Sequence, residues 1–170
     1  RGRTVSVRQV NQLRTPTVVH LHGGVTPPES DGFPMDHVMP GEAREYVYPN
    51  AQRAATLWYH DHMMDRTGRN IYMGLAGLYL LEDDDEQALG LPGGPYDVPL
   101  LVQDRLFASG GSFQYKMVNH VGAKSGAMLV NGAPWPRLDV STRPYRFRIV
   151  NGSNATPLRL ALSSGDPAAL

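Results

Sequence analysis

Four of the six histidines in this sequence stand in two His-x-His pairs, His20 with His22 and His60 with His62. Each pair lies within a short apolar run, which is compatible with a β-strand. Side chains alternate between the two faces of a strand, so both imidazoles of a pair project from one face with stems about 6.6 Å apart. A helix would turn positions i and i+2 away from each other. Two such strands placed face to face would bring four imidazoles into one small volume, which predicts a metal site.

Imidazole ligands suit copper, zinc, iron and nickel, and the rest of the chain narrows this choice. The sequence contains no cysteine, which excludes thiolate zinc sites and iron–sulfur clusters within this chain. The sequence has no His-Glu-x-x-His motif, which argues against a metalloprotease. A histidine-rich site open to a small molecule therefore favours copper oxygen chemistry or catalytic zinc. The other two histidines, His37 and His120, lie in loops without a paired partner and are not predicted to be ligands.

The residues around both histidine pairs resemble the copper motifs of the three-domain multicopper oxidases, in particular the bacterial spore-coat laccase and bilirubin oxidase group. The first motif is matched by residues 19–27 with 30–34, and the second by residues 57–62. Residues 74–79 are similar to the glycine-rich strand that follows the second motif. Further segments are similar to the start of the family's second domain, namely residues 96–100, 129–132, 135–136 and 145–148.

This resemblance implies cupredoxin-like Greek-key β-sandwich domains and a trinuclear copper cluster, which reduces O2 to water with electrons taken singly from a phenolic or similar donor. By motif position, His20 would bind the type 2 copper, and His22, His60 and His62 would bind the type 3 pair. Asp31, eleven residues after His20, would lie near the cluster and assist proton delivery. For a loop Asp followed by Gly, the alternative role is turn formation. The implied partners are O2, a small-molecule electron donor and the remaining domains of a parent oxidase.

The chain departs from the family pattern at the site where electrons enter. The type 1 copper needs a cysteine, and the sequence has none. The other four cluster histidines of the family are also absent, so this segment would supply half of the trinuclear ligand set. The sequence opens on Arg1 instead of Met, and residues 166–170 do not resemble a domain end. We therefore expect an internal fragment of a longer oxidase, inactive alone, with the type 1 site elsewhere in the parent chain.

Two other functions stay open at this point. A copper- or zinc-binding module without redox turnover would use the same four histidines for storage or tolerance. A structural cupredoxin-fold protein would have kept the scaffold and lost the chemistry, although the presence of all four motif histidines argues against it. An oxidase and a binding module differ in whether the reading frame continues into a cysteine-containing, histidine-rich third domain.

Three residues beside the second histidine pair receive lesser roles. Trp58 shares a strand face with His60 and His62, and both Trp58 and Tyr59 are predicted to be core residues with one polar atom to satisfy. Asp61 points away from the two ligands, so the strongest role expected for it is hydrogen-bonded support at a distance from the metal.

Short strands, glycine- and proline-rich turns and few helix signals predict an all-β fold. The predicted strands are residues 4–9, 17–22, 44–49, 54–62, 71–81, 97–107, 128–131, 137–140, 145–150 and 157–162. Along the second of these, Val19 and Leu21 face a sandwich core on the side opposite the histidines. The acidic run 82–86 is predicted to be solvated and to mark a domain boundary. The expected organisation is a first cupredoxin-like domain in residues 1–85 without its N-terminal strands, a linker in 86–95 and the start of a second cupredoxin-like domain in 96–170.

The composition excludes two classes of partner. With 16 basic and 16 acidic residues, the formal net charge is zero. A nucleic acid or an anionic membrane surface therefore has no electrostatic support as a partner. No apolar run approaches the roughly 20 residues needed to span a membrane, because the run 71–81 is short and contains two glycines.

Overall fold

The structure is a computed structural model that describes residues 1–116 and 126–161. Its strands are β1 Val5–Val10, β2 Val19–His22, β3 Ala43–Tyr48, β4 Ala55–Asp61, β5 Ala76–Leu81, β6 Asp97–Arg105, β7 Ala127–Val130, β8 Ala133–Pro134 and β9 Arg146–Asn151. Two short helices, α1 Thr67–Tyr72 and α2 Asp84–Gln87, and two 3-10 turns, Pro28–Ser30 and Gly94–Tyr96, accompany the strands in these ranges. The sequence predictions for His120 and for Leu162 lie outside the described residues.

The first five strands form two antiparallel sheets that enclose a small apolar core. One sheet pairs β1 with β3, and the other has the order β2-β4-β5. The buried core residues come from both sheets and are Leu21, Tyr46, Tyr48 and Leu57, with Val19, Ala55 and Tyr79 packed against them. The predicted core-facing side of β2 is therefore confirmed. Each large apolar side chain buried here contributes about 1.5–3 kcal/mol to folding.

The remaining strands form one mixed sheet in the order β8-β7-β6-β9. In this sheet β6 is antiparallel to β7 and parallel to β9. The strand predicted at residues 137–140 is wrong, since these residues are exposed and form no strand. Residues 157–161 form no strand either. Among the described residues, no helix is both long and apolar enough to cross a membrane.

The predicted strand over residues 71–81 is wrong in its first part. Ile71 and Tyr72 end α1, and β5 begins only at Ala76. Gly74, with φ +107°, lies between the helix and the strand in a backbone conformation that favours glycine. The Leu75 N–H donates to the Asn70 carbonyl at 3.0 Å and closes the connection. A short apolar run fits a helix end or a strand equally well, and here these contacts decide between them.

The acidic run is less solvated than predicted, because Asp83 is only 8% exposed. Its carboxylate accepts the N–H of Ala54 at 2.8 Å and the N–H of Glu86 at 2.9 Å, and the second bond caps α2. These backbone hydrogen bonds, led by the one from Ala54, lower the pKa of Asp83. Glu86 in turn pairs with Arg146 and Arg148 of β9.

Arg148 links the two groups of strands. Its side chain is 3% exposed and donates to both carboxylate oxygens of Asp97 at 2.7–2.9 Å. Its Nη1 also donates to the Thr56 hydroxyl of β4 at 3.3 Å. A buried charge needs hydrogen-bonding partners, and Arg148 finds them both in β6 and in β4. It therefore connects β6 and β9 to the sheet that carries the histidines.

Candidate metal centre

The two histidine pairs meet because β2 and β4 are hydrogen-bonded neighbours. In their antiparallel register His20 lies opposite His60, and His22 lies opposite Trp58. The prediction that the two strands would be placed face to face is therefore wrong. They lie side by side in one sheet, and the alternation of side chains places their imidazoles on the same face.

All four imidazoles lie close together on that face. The ring centroids of His20 lie 5.6 Å from His22, 5.4 Å from His60 and 4.9 Å from His62. Those of His60 lie 5.5 Å from His22 and 5.7 Å from His62. The structure thus brings together all four residues that the sequence singled out.

The ring nitrogens converge as ligands of a metal would. His20, His22 and His60 each offer a nitrogen, and these atoms lie within 4.8 Å of one another. Nδ1 of His22 lies 3.3 Å from Nε2 of His60. In His62, Nδ1 is buried without a hydrogen-bond partner. A cluster of imidazole nitrogens that includes an unpaired buried one fits copper, for which imidazole is a suitable ligand.

Backbone carbonyls hold two of the rings in place. Nδ1 of His20 lies 2.6 Å from the carbonyl oxygen of Asp31, and Nδ1 of His60 lies 2.8 Å from that of Asp61. When each Nδ1 carries the proton and donates, Nε2 is left free as the ligand atom. This arrangement fixes both the tautomer and the ring orientation, as is usual for metal-binding histidines.

The surroundings of His60 favour the neutral imidazole that binds metals. His60 is 5% exposed. Burial is the main cause that lowers its pKa, and the neighbouring rings of His20, His22 and His62 act in the same direction. The hydrogen bond to the Asp61 carbonyl partly opposes them. A neutral ring has a nitrogen lone pair available for coordination near neutral pH.

Trp58 packs against the rings of the histidine cluster. Its ring centroid lies 4.4 Å from that of His60 and 5.3 Å from that of His22. The core prediction for Tyr59 is wrong, because this residue is 41% exposed. The signal for Trp58 was present in the sequence, since it stands two positions before His60 and so shares its face.

Asp31 lies beside His20. Its carboxylate Oδ1 is 3.5 Å from Nδ1 of His20 and accepts a hydrogen bond from the Thr26 hydroxyl at 3.2 Å. The closer contact to the ring is made by the Asp31 carbonyl, so the residue orients His20 through its backbone as well. The next residue, Gly32, has φ +79° and packs directly against the Val19 carbonyl.

Comparison with known proteins decides the family. Residues 1–86, half of the chain, match the multicopper oxidase family. The chain belongs to the multicopper oxidases. It is 46% identical over 169 residues to a laccase of Bacillus subtilis, covering 88% of this chain and 33% of the laccase. It is 38% identical over 168 residues to the bilirubin oxidase of Albifimbria verrucaria, covering 98% of this chain and 29% of that enzyme.

Solved structures agree with this assignment. The McoA multicopper oxidase 2F4 variant from Aquifex aeolicus superimposes with a TM-score of 0.89 at 43% identity, over 96% of this chain and 37% of the other. The predicted all-β, cupredoxin-like fold is confirmed. This multicopper oxidase chain spans about a third of the length of the relatives it matches. Its relatives are oxidoreductases by name, and membership of the family implies copper.

Proposed function

We propose that this chain is a segment of a multicopper oxidase of the laccase or bilirubin oxidase kind. The parent protein would couple one-electron oxidation of phenolic or similar substrates to the four-electron reduction of O2 to water. The observation that best supports this is the register of β2 and β4, which places His20 opposite His60. Five pairs among the four imidazoles then have centroids 4.9–5.7 Å apart.

In this proposal His20 holds the type 2 copper, and His22, His60 and His62 hold the type 3 pair. The assignment rests on motif position, and two contacts accompany it. The ring of His20 is held by the Asp31 carbonyl, and Nδ1 of His22 lies 3.3 Å from Nε2 of His60. The chemistry that copper supplies when bound is one-electron transfer and the reduction of O2. The other trinuclear ligands and the type 1 site would come from the remaining domains.

Asp31 would serve as the acid of the site. Its carboxylate is 52% exposed and its Oδ1 lies 3.5 Å from the His20 ring. It therefore contacts both solvent and the ligand cluster. A carboxyl so placed can take a proton from water and hold it beside the histidine cluster. The hydrogen bond from Thr26 keeps Oδ1 on the side of His20.

The proposed domains are residues 1–85 and 96–170, joined by a linker at 86–95. The pairing of the strands supports this division, since within residues 1–116 and 126–161 the strands β1 to β5 pair only with one another and so do β6 to β9. The helix α2, Asp84–Gln87, crosses the first boundary, and the turn Gly94–Tyr96 lies at the second. O2 and a small-molecule donor are the proposed partners.

The test uses the protein encoded by the complete reading frame. Copper per chain is measured by mass spectrometry, and O2 consumption is measured with a phenolic donor. We expect the wild type to bind copper and consume O2, and His22→Asn to lose both. His37→Asn is the matched control, because His37 lies outside the cluster, and it should keep both. Copper binding without O2 consumption would overturn the oxidase and support a binding module, whereas no copper binding would leave only the scaffold.

A further inference from the structure

Asp61 stands between two ligands of the proposed site but points to the other side of β4. It is 2% exposed, and its carboxylate is fully engaged. It accepts four hydrogen bonds, two at each oxygen. Oδ2 accepts from the Thr17 hydroxyl at 2.6 Å and from the Val18 N–H at 3.1 Å. Oδ1 accepts from the Met63 N–H at 3.1 Å and from the Asn70 side-chain amide at 2.9 Å.

The four donors belong to segments that flank the ligands. Thr17 and Val18 lead directly into β2, which carries the first histidine pair, and Met63 follows His62. Asn70 lies in α1, the helix that comes after the second pair. The backbone adds a further link, since the His62 N–H donates to the Val18 carbonyl at 2.9 Å. The Asp61 carboxylate thus connects the segment that precedes the first histidine pair with the segment that follows the second.

The chemistry of the side chain explains why a carboxylate stands here. An ionised carboxylate is an acceptor at both oxygens, so it satisfies four donors at once. Asparagine has the same shape, but its NH2 group would face two of these donors and leave them unsatisfied. Hydrogen bonds to a charged group are roughly twice as strong as those between neutral groups. The network therefore holds its surroundings more rigidly than a neutral side chain could.

We propose that Asp61 is a positioning residue that sets the separation of the two histidine pairs before copper binds. It acts through the backbone and the donors around it, and does not touch the metal. The inference rests on the proposed function, because it assumes that these histidines hold copper. Asp61 sits at the point where β2, β4 and α1 meet, so it can fix all three segments together.

The experiment compares Asp61→Asn with Asp83→Asn in the complete protein. Asp83 is the matched control, because it is also a buried carboxylate that accepts backbone N–H groups, and its donors, Ala54 and Glu86, do not adjoin either histidine pair. Copper affinity is measured by competition with a chelator, the EPR spectrum of the bound Cu(II) is recorded, and folding of the metal-free protein is followed by circular dichroism.

We expect Asp61→Asn to lower copper affinity about 10–100-fold and to change the EPR spectrum, as for other residues that orient metal ligands. Asp83→Asn should keep the wild-type affinity and spectrum even if it unfolds more easily. Thr17→Val removes a single donor and should weaken copper binding in the same direction by less. This milder variant decides the question if Asp61→Asn does not fold.

Unchanged copper affinity and spectrum in a folded Asp61→Asn protein would overturn the inference and leave the proposed function intact. The inference also fails if Asp61→Asn does not fold and Thr17→Val binds copper as the wild type does. A wild-type protein that takes up no copper would instead overturn the proposed function, and this inference with it.

Discussion

The guanidinium carbon of Arg105 lies 4.6 Å from the centre of the Tyr72 ring, joining the end of β6 to the end of α1. Both side chains are buried, Arg105 at 1% and Tyr72 at 0% exposure. Arg105 also donates to the Ile71 carbonyl at 3.1 Å, and the Leu106 N–H donates to the Tyr72 hydroxyl at 2.6 Å. The helix that follows the second histidine pair is therefore anchored by a residue of the mixed sheet β8-β7-β6-β9.

Replacing Arg105 by lysine should destabilise the protein. Lysine keeps the charge but loses the planar group that stacks on Tyr72 and reaches the Ile71 carbonyl. We expect a loss of about 2–4 kcal/mol in the free energy of unfolding, measured with urea. Arg143→Lys is the control, since Arg143 lies over Tyr96 at 5.6 Å but is exposed, and it should cost less than about 1 kcal/mol. Equal losses in the two variants would show that burial of the stack contributes nothing.

Gly32→Ala should disturb both the fold and the position of Asp31. Gly32 has φ +79°, and a Cβ there would overlap the Val19 carbonyl group. We expect a loss of about 2–4 kcal/mol, from overpacking and from the left-handed backbone conformation together. Copper binding should also weaken, because the Asp31 carbonyl that holds His20 would move.

Gly41→Ala is the control for Gly32→Ala. Gly41 has φ +85°, but a Cβ there would meet nothing within 4 Å. It should therefore show only the backbone cost of about 1–2 kcal/mol and unchanged copper binding. Urea unfolding and chelator competition check both expectations, which would be wrong if the two variants behaved alike.

The Asp97–Arg148 pair should make stability depend on pH. Hydrogen bonds from Arg148 are the main cause that lowers the pKa of Asp97, its charge acts in the same direction, and burial partly opposes both. A carboxyl whose pKa is lower in the folded state stabilises the fold at neutral pH. That contribution declines as the pH falls below about 4 and through the folded pKa.

Asp97→Asn should therefore destabilise the protein most at pH 7, and its difference from the wild type should shrink in acid. The loss at pH 7 should lie below the roughly 3–5 kcal/mol typical of broken buried pairs, because Glu86 still faces Arg148 at 3.2 Å. Asp139→Asn is the control, since it breaks an ion pair with Arg137 in which both side chains are exposed. It should lower the free energy of unfolding by less than about 1 kcal/mol. Urea unfolding at several pH values measures both, and a constant difference for Asp97→Asn would contradict the prediction.

Leu21→Ala tests the core that lies behind the histidines. Leu21 is 3% exposed and alternates along β2 with His20 and His22. Its truncation should cost about 2–5 kcal/mol in thermal or urea unfolding. Leu80→Ala, at 36% exposure on β5, should cost about 1 kcal/mol or less. A Leu21→Ala loss as small as that of Leu80→Ala would show that this core does not support β2.

The sequence was most informative where side chains alternate. Because a strand has a period of two, the spacing of His20, His22, His60 and His62 predicted shared faces, and the structure confirms this. Alternation says which face a residue occupies, but not which strand lies next to it. The expectation that the two strands would be placed face to face was therefore wrong, and the hydrogen-bonded pairing of β2 and β4 became apparent only in the structure.

Other predictions failed where distant contacts decide the local structure. Residues 71–72 form the end of a helix because Tyr72 packs under Arg105, more than thirty positions away. The acidic run is ordered because Glu86 meets Arg146 and Arg148, about sixty positions later. Nothing in the local pattern of either segment carries that information, since propensity yields to tertiary contacts.

The register that pairs His20 with His60 also limits where residues can be inserted into or deleted from this chain. A single deletion inside β2 or β4 would turn one histidine pair onto the apolar side, because each one-residue slip exchanges the two faces of a strand. Additions to the connecting loops leave that pairing untouched. Evolution of this segment should therefore tolerate insertions between the strands. It should eliminate deletions of an odd number of residues within β2 or β4.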